Sequence, residues 1–297
     1  WKMNISFIGL GAVGMYYSEG LVANGATVKG YDVMVGDPRF EERVRTVRGN
    51  GVEVVGSMEE LLKDADLIMV VTTAAVAVKT AESAKPFLKK GQIYVELNSA
   101  VPSDKKRIEE SLREVGVDVV DGTTMSAVNM VKYKAQINFA GPRAREVVDI
   151  LRGYKMDARY FGEEVGQAAA FKLVRSIFMK GYEAILMECA EAAAHYGVLD
   201  DVLKSIAEYF DAKTSQEHFD LFINTDAVFA KRRSEEVAGV IKMLADDGIN
   251  NTMTKATVEK LAWISTLGLD EHYNHEAPND KHDVIRLLCA AEKDLPV

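Results

Sequence analysis

Between residues 4 and 160, short runs rich in β-branched and other apolar residues alternate with helix-length stretches, and after Gly162 the alternation stops. This constrains the chain more than any single motif. Parallel strands need a crossover between them, and a helix is the usual one. Strands are expected at 4–9, 26–32, 52–55, 67–71, 92–97, 117–121, 136–140 and 157–160. Helical patterns lie between them at 12–24, 40–48, 58–63, 75–87, 104–114 and 143–152. Beyond Gly162 helix formers dominate. The segment 167–196 has apolar helical periodicity and no proline, and Gly197 is placed to stop it. Further helices are expected at 200–211, 216–245 (with a break allowed for), 252–267 and 281–292.

The first strand runs into Gly9, Gly11 and Gly14, spaced G-x-G-x-x-G, and a helix follows. That spacing alone is weak. A preceding strand, a following helix and an acidic residue about 20 positions on make it a dinucleotide fingerprint. Here the next strand ends at Asp32. Gly9 permits the tight turn, Gly11 lets backbone N–H groups approach a pyrophosphate, and Gly14 lets the helix pack close to the sheet. Ala12 and Val13 stand at the helix N-terminus, where phosphate binds. Asp32 is suited to ribose hydroxyls and repels a 2′-phosphate, so NAD is favoured over NADP, although Arg39 and Arg43 follow closely. Loops after later strands should line the same crevice, which brings in Thr72 and Thr73, Asn98 and Ser99, and the stretch 121–129 with Ser126. The expected fold is therefore α/β: a Rossmann-type doubly wound sheet over residues 1–162, followed by an all-α domain over 163–297.

Composition narrows the partners. A net charge of -9 argues against nucleic acid or an anionic membrane, both of which need a basic surface. Two cysteines, Cys189 and Cys289, fit a reducing cytoplasm rather than a disulfide framework. No run is long and apolar enough for a transmembrane span. His272, His275 and His282 sit among acidic residues in a polar stretch, 270–283, whose spacing matches no ligand motif, so no metal is expected.

Four ordered features carry a resemblance: "GLGAVG" at 9–14, "ELNSAVP" at 96–102, "DGTTMSAVN" at 121–129 and "VGQAAAFKLVRS" at 165–176. Together the chain resembles the β-hydroxyacid dehydrogenase family, which includes 6-phosphogluconate and 3-hydroxyisobutyrate dehydrogenases. It looks closest to a 6-phosphogluconate dehydrogenase-like branch with a helical C-terminal domain of uncharacterised function. The match is imperfect. Ala127 and Val128 replace glycines of the substrate motif, Ala168 replaces a glycine of the catalytic motif, and Arg175 and Ser176 stand where two asparagines are expected.

The resemblance implies a nicotinamide cofactor and assigns Lys172 as general acid/base. Hydride transfer leaves a hydroxyl proton that must be moved, and a desolvated lysine beside another cation can move it. Residues 172, 175, 176 and 179 share a helix face, so Arg175 and Ser176 are expected beside Lys172 in one cleft, with Arg175 either meeting an anionic substrate or making an ion pair. Ser126 and Asn98 would meet the substrate or cofactor from the other side. The implied reaction moves hydride between nicotinamide and a small anionic β-hydroxy acid, in a homodimer or larger homo-oligomer. The alternatives are imine-reductase-like C=N reduction and a non-catalytic NAD(H)-binding regulator.

Overall fold

The computed structural model describes residues 3–292. The strands β1 (Asn4–Ile8), β2 (Thr27–Tyr31), β3 (Glu53–Val54), β4 (Leu67–Val70), β5 (Ile93–Glu96), β6 (Asp118–Thr124), β7 (Ile137–Ala140) and β8 (Ala158–Gly162) form one sheet. Its order is β3-β2-β1-β4-β5-β6-β7-β8. The helices threaded between them are α1 (Ala12–Ala23), α2 (Glu41–Gly49), α3 (Met58–Leu62), α4 (Ala77–Ala84), α5 (Pro102–Arg113), α6 (Val128–Val131) and α7 (Ala144–Gly153). The strand order reverses between β1 and β4, the switch point at which doubly wound sheets open a crevice at the strand carboxyl ends.

The central strands are apolar throughout because both faces are covered. Leu67 and Met69 of β4 pack into one apolar layer, while Ile68 and Val70 pack into the other. Tyr94 likewise lies in one layer and Ile93 and Val95 in the opposite one. One strand departs from the expected parallel pattern. β7 runs antiparallel to β6, pairing Asp121 with Ala140 and Thr124 with Ile137. This pairing extends β6 past the expected 117–121, out to Thr124. The expected helix at 75–87 is also shorter, with 3₁₀ turns at Ala74–Val76 and Lys85–Phe87 on either side of α4. Pro86 lies in the second turn and cannot continue an α-helix.

The remaining helices are α8 (Gln167–His195), α9 (Leu199–Asp211), α10 (Ser215–Asp246), α11 (Thr252–Ser265), α12 (Leu269–His272) and α13 (Lys281–Glu292). The chain divides into two compact units, one ending at Ile177 and the other starting at Phe178. The division falls inside α8, whose first turn is fastened to the sheet by Asp121 of β6, which accepts the N–H groups of Gly166 and Ala169. In the second unit α10 runs unbroken behind a capping box of Thr214 and Glu217. Ala227 and Val228 of α10 share a core with Ile264, Leu269 and Val284. The buried Glu188 carboxylate accepts the N–H groups of Met253 and Thr254, each at 2.8 Å, and so caps α11. Among the described residues no helix is long and apolar enough to cross a membrane.

Candidate active site

The β1–α1 turn is shaped by its glycines. Gly9 has φ +101, and a Cβ there would collide with the Val71 carbonyl. A Cβ on Gly14 would collide with the Gly9 carbonyl, so α1 passes closer to the turn than any other residue allows. Gly11 faces open space. As N-cap it brings no capping side chain, and the first turn of α1 holds no acidic residue. The free N–H groups of that turn are thus left for an anion. Across the turn, Asp32 at the end of β2 accepts the N–H of Leu10 at 2.8 Å and that of Met34 at 3.0 Å.

Two cavities flank this turn and share Gly11, Thr72 and Thr73. One, of about 470 Å³, is lined by Gly9, Tyr31, Asp32, Val33, Val76 and Lys79. The other, of about 370 Å³, runs along the carboxyl ends of β4, β5 and β6. Ala12 and Val13 form one wall, Asn98, Ser99, Thr124 and Ser126 another, and Lys172 of α8 reaches in. Within it the Asn98 amide donates to the Thr72 hydroxyl at 3.1 Å, and Lys172 Nζ donates to the Ser99 hydroxyl at 3.1 Å. Among the described residues Lys172 is the one charged side chain on this cavity's wall, and every other polar lining group is a neutral hydroxyl, amide or peptide.

Residues 4–136, which hold the turn and most of both cavities, match the family described as the NAD binding domain of 6-phosphogluconate dehydrogenase. Residues 193–264 match a domain of unknown function, DUF1932. The chain is 22% identical to 2-(hydroxymethyl)glutarate dehydrogenase of Eubacterium barkeri, over 69% of this chain and 68% of that one. It is 27% identical to the solved conserved protein MTH1747, whose structure was described as similar to 3-hydroxyacid dehydrogenases (TM-score 0.62, 89% of this chain and 97% of that one). An imine reductase variant of Myxococcus stipitatus, solved with NAD+, shares the fold at 16% identity (TM-score 0.75, 97% of this chain and 99% of that one).

Most of the residues expected from sequence converge. Gly11, Ala12, Val13, Thr72, Thr73, Asn98, Ser126 and Lys172 line the 370 Å³ cavity, and Gly9 and Asp32 line its neighbour. Three line neither cavity: Gly14, which lies beneath the turn against the Gly9 carbonyl, Arg175 and Ser176. Arg175 is exposed, lines neither cavity and makes no ion pair among the described residues. Ser176 turns its hydroxyl back to the Lys172 carbonyl at 3.0 Å, as serines in helices commonly do. Arg39 is also accounted for: it pairs with Asp37 at 2.6 Å and lies in neither cavity.

The electrostatics bring in residues that the sequence did not mark. Burial pushes the Lys172 ammonium below its ordinary range, and the cation that adds to this is Lys105, not Arg175. Lys105 is fully buried with Asp121, Nζ to Oδ1 at 2.6 Å. Beside them Glu96 is also fully buried. One of its oxygens accepts the Asn98 N–H at 2.7 Å and the other has no partner. Burial raises its pKa to about 7 against the opposing pull of Lys105 and Asn98. Thr124 also lines the cleft, and it is held there by the phenol of buried Tyr17 at 2.9 Å. Its place depends on the antiparallel extension of β6, which no local pattern announces.

Proposed function

We propose that this protein is an oxidoreductase, favouring NAD over NADP, that moves hydride between nicotinamide and the hydroxyl-bearing carbon of a small anionic β-hydroxy acid. The observation that carries this reading is the Lys172 amine, half-buried, hydrogen-bonded to Ser99, in a cleft that begins at the uncapped N-terminus of α1.

The residues present fit a dinucleotide. The open space at Gly11 and the free N–H groups of Ala12 and Val13 suit a pyrophosphate, and Asp32 with Val33 suits an unphosphorylated ribose. When bound, the nicotinamide supplies the hydride acceptor or donor. The protein's own task is the proton. In the oxidation direction the C–H bond gives up its hydride and the O–H bond gives up its proton, which the neutral Lys172 amine takes; in reduction the ammonium returns it. Ser99 orients the amine by accepting a hydrogen bond from it. Asn98, Ser126 and Thr124 offer hydrogen bonds to the substrate's polar groups. Arg175, one turn beyond Lys172 and exposed, is the cation we assign to a carboxylate or phosphate at the far end of the substrate.

We also infer a homo-oligomer. Val174 and Ile177 are 64% and 74% exposed in the first unit, and Met187 of the second is 63% exposed. Large apolar side chains so exposed along one helix mark a covered surface, and a second copy of this chain is the partner that the family reading supplies.

Turnover of a panel of small β-hydroxy acids with NAD+ and with NADP+, followed by nicotinamide absorbance, tests the reading. NAD-linked oxidation of at least one acid is expected. A higher kcat/KM with NADP+ would overturn the argument from Asp32, and turnover of cyclic imines alone would replace the CH–OH assignment.

A further inference from the structure

Lys105 is not part of the cleft wall, yet it is a buried charge with every ammonium proton hydrogen-bonded. It belongs to α5 and has 0% exposure. Its three ammonium protons go to Asp121 Oδ1 at 2.6 Å, the Glu96 carbonyl at 3.0 Å and the Gly122 carbonyl at 3.1 Å. The second Asp121 oxygen accepts the N–H groups of Gly166 at 3.1 Å and Ala169 at 2.9 Å, the entry to α8. Lys172 follows Ala169 by one turn on the same helix face, and its amine reaches back to Ser99, in the loop that leads into α5. The contacts close a ring: α5, Lys105, Asp121, the first turn of α8, Lys172, Ser99 and α5 again.

Such a pair is expensive to bury, and apolar residues of similar volume serve stability equally well or better. What apolar residues would not supply is a fixed cation beneath the cleft. The groups around Lys172 leave that role to Lys105. Among the described residues, what the stretches after β4, β5 and β6 give to the cleft wall is neutral, and Lys132 and Lys134, further along after β6, line no part of it. Tyr17 stands behind Thr124 as a phenol that ionises only at about 12. Asp121 holds Lys105 and the α8 entry, and Glu96 gives one oxygen to the Asn98 N–H while its other oxygen, buried, has no partner. On α8 itself Arg175 is exposed.

We propose that Lys105 is a positioning residue for Lys172: through Asp121 it holds the first turn of α8 so that the Lys172 amine meets Ser99, and its buried charge keeps that amine able to shed its proton. This rests on the reading of Lys172 as the proton-transferring group, but its test needs no turnover.

The test is competitive labelling of the whole protein with acetic anhydride across pH, with the Lys172 and Lys204 peptides quantified by mass spectrometry. Lys204 is an exposed helical lysine and serves as internal reference. In the wild-type chain Lys172 should lose its proton at lower pH than Lys204; equal midpoints would overturn the proposal. In Lys105→Met, and in Lys105→Met/Asp121→Asn, which removes both buried charges together, the Lys172 midpoint should move up. Labelling at neutral pH should then slow roughly threefold or more while Lys204 is unchanged. A Lys172 midpoint that stays in place in either variant, with its circular dichroism intact, would overturn the proposal. Undiminished turnover in Lys172→Met would instead fall on the proton-transfer reading alone, so the two failures are distinct.

Discussion

Glu96→Gln should make the protein more stable at neutral and alkaline pH, an unusual outcome for a buried side chain beside an active cleft. Glu96 has no solvent exposure, and one of its carboxylate oxygens has no partner. Burial raises its pKa from the ordinary 4.5 to about 7. The folded chain therefore holds this proton more tightly than the unfolded chain. As pH rises from about 4.5 the unfolded state releases the proton first, and stability falls until the folded group also ionises near 7. That gap corresponds to about 3 kcal/mol, lost between about pH 4 and about pH 8. The substituted glutamine does not ionise, and its side-chain carbonyl oxygen keeps the Asn98 N–H. Urea unfolding at several pH values, followed by far-UV circular dichroism, reads the effect; Trp263 fluorescence would report the second unit instead. The expected result is a variant whose midpoint exceeds that of wild type by about 1 M urea or more at about pH 8, with the difference shrinking towards pH 4. Parallel pH dependences for the two proteins, or a variant less stable at pH 8, would refute the argument.

Three other expectations follow from particular contacts. Gly9→Ala places a Cβ against the Val71 carbonyl at φ +101, so binding of NADH, read by its fluorescence, should fall at least about tenfold, with a loss of about 1–3 kcal/mol in stability. Glu188→Ala strips two backbone N–H groups and the Thr254 hydroxyl of their acceptor and should destabilise the second unit by about 1–3 kcal/mol, visible in the Trp263 transition; an unchanged transition would deny the cap. Ile177→Asp puts a charge on the most apolar exposed stretch of α8 and should shift the protein towards monomer in light scattering; an unaltered oligomer would place the interface elsewhere.

Much of the fold was legible in the sequence because its signals are local. Each strand is a short apolar run, each crossover a helical pattern, and Gly9, Gly11 and Gly14 mark where the first strand turns into the first helix. The direction of β7 was not legible, since an alternating run reads the same whichever way its neighbour runs. Nor was α6, a single turn at Val128–Val131 too short to show a period. In the site, Lys172 was found through its register in a motif. Lys105 was missed because it stands in "SDKKR", a charge run that reads as a solvated helix face. Only the distant Asp121 makes it a buried group. Arg175 and Ser176 show the limit of helix-face reasoning: they follow Lys172 on one face of α8, but the cavity wall reaches only to Lys172.

The most direct test of the account is the rate of NAD-linked oxidation of the best hydroxy acid found, compared between wild type and Lys172→Met and followed against pH. The wild-type rate should rise with pH through a midpoint below the ordinary lysine range. The variant should lose about 10²- to 10⁴-fold in kcat and the pH-dependent rise, while binding NADH as tightly as before. Equal rates in the two proteins, or the same pH-dependent rise without the amine, would contradict the assignment of the proton to Lys172.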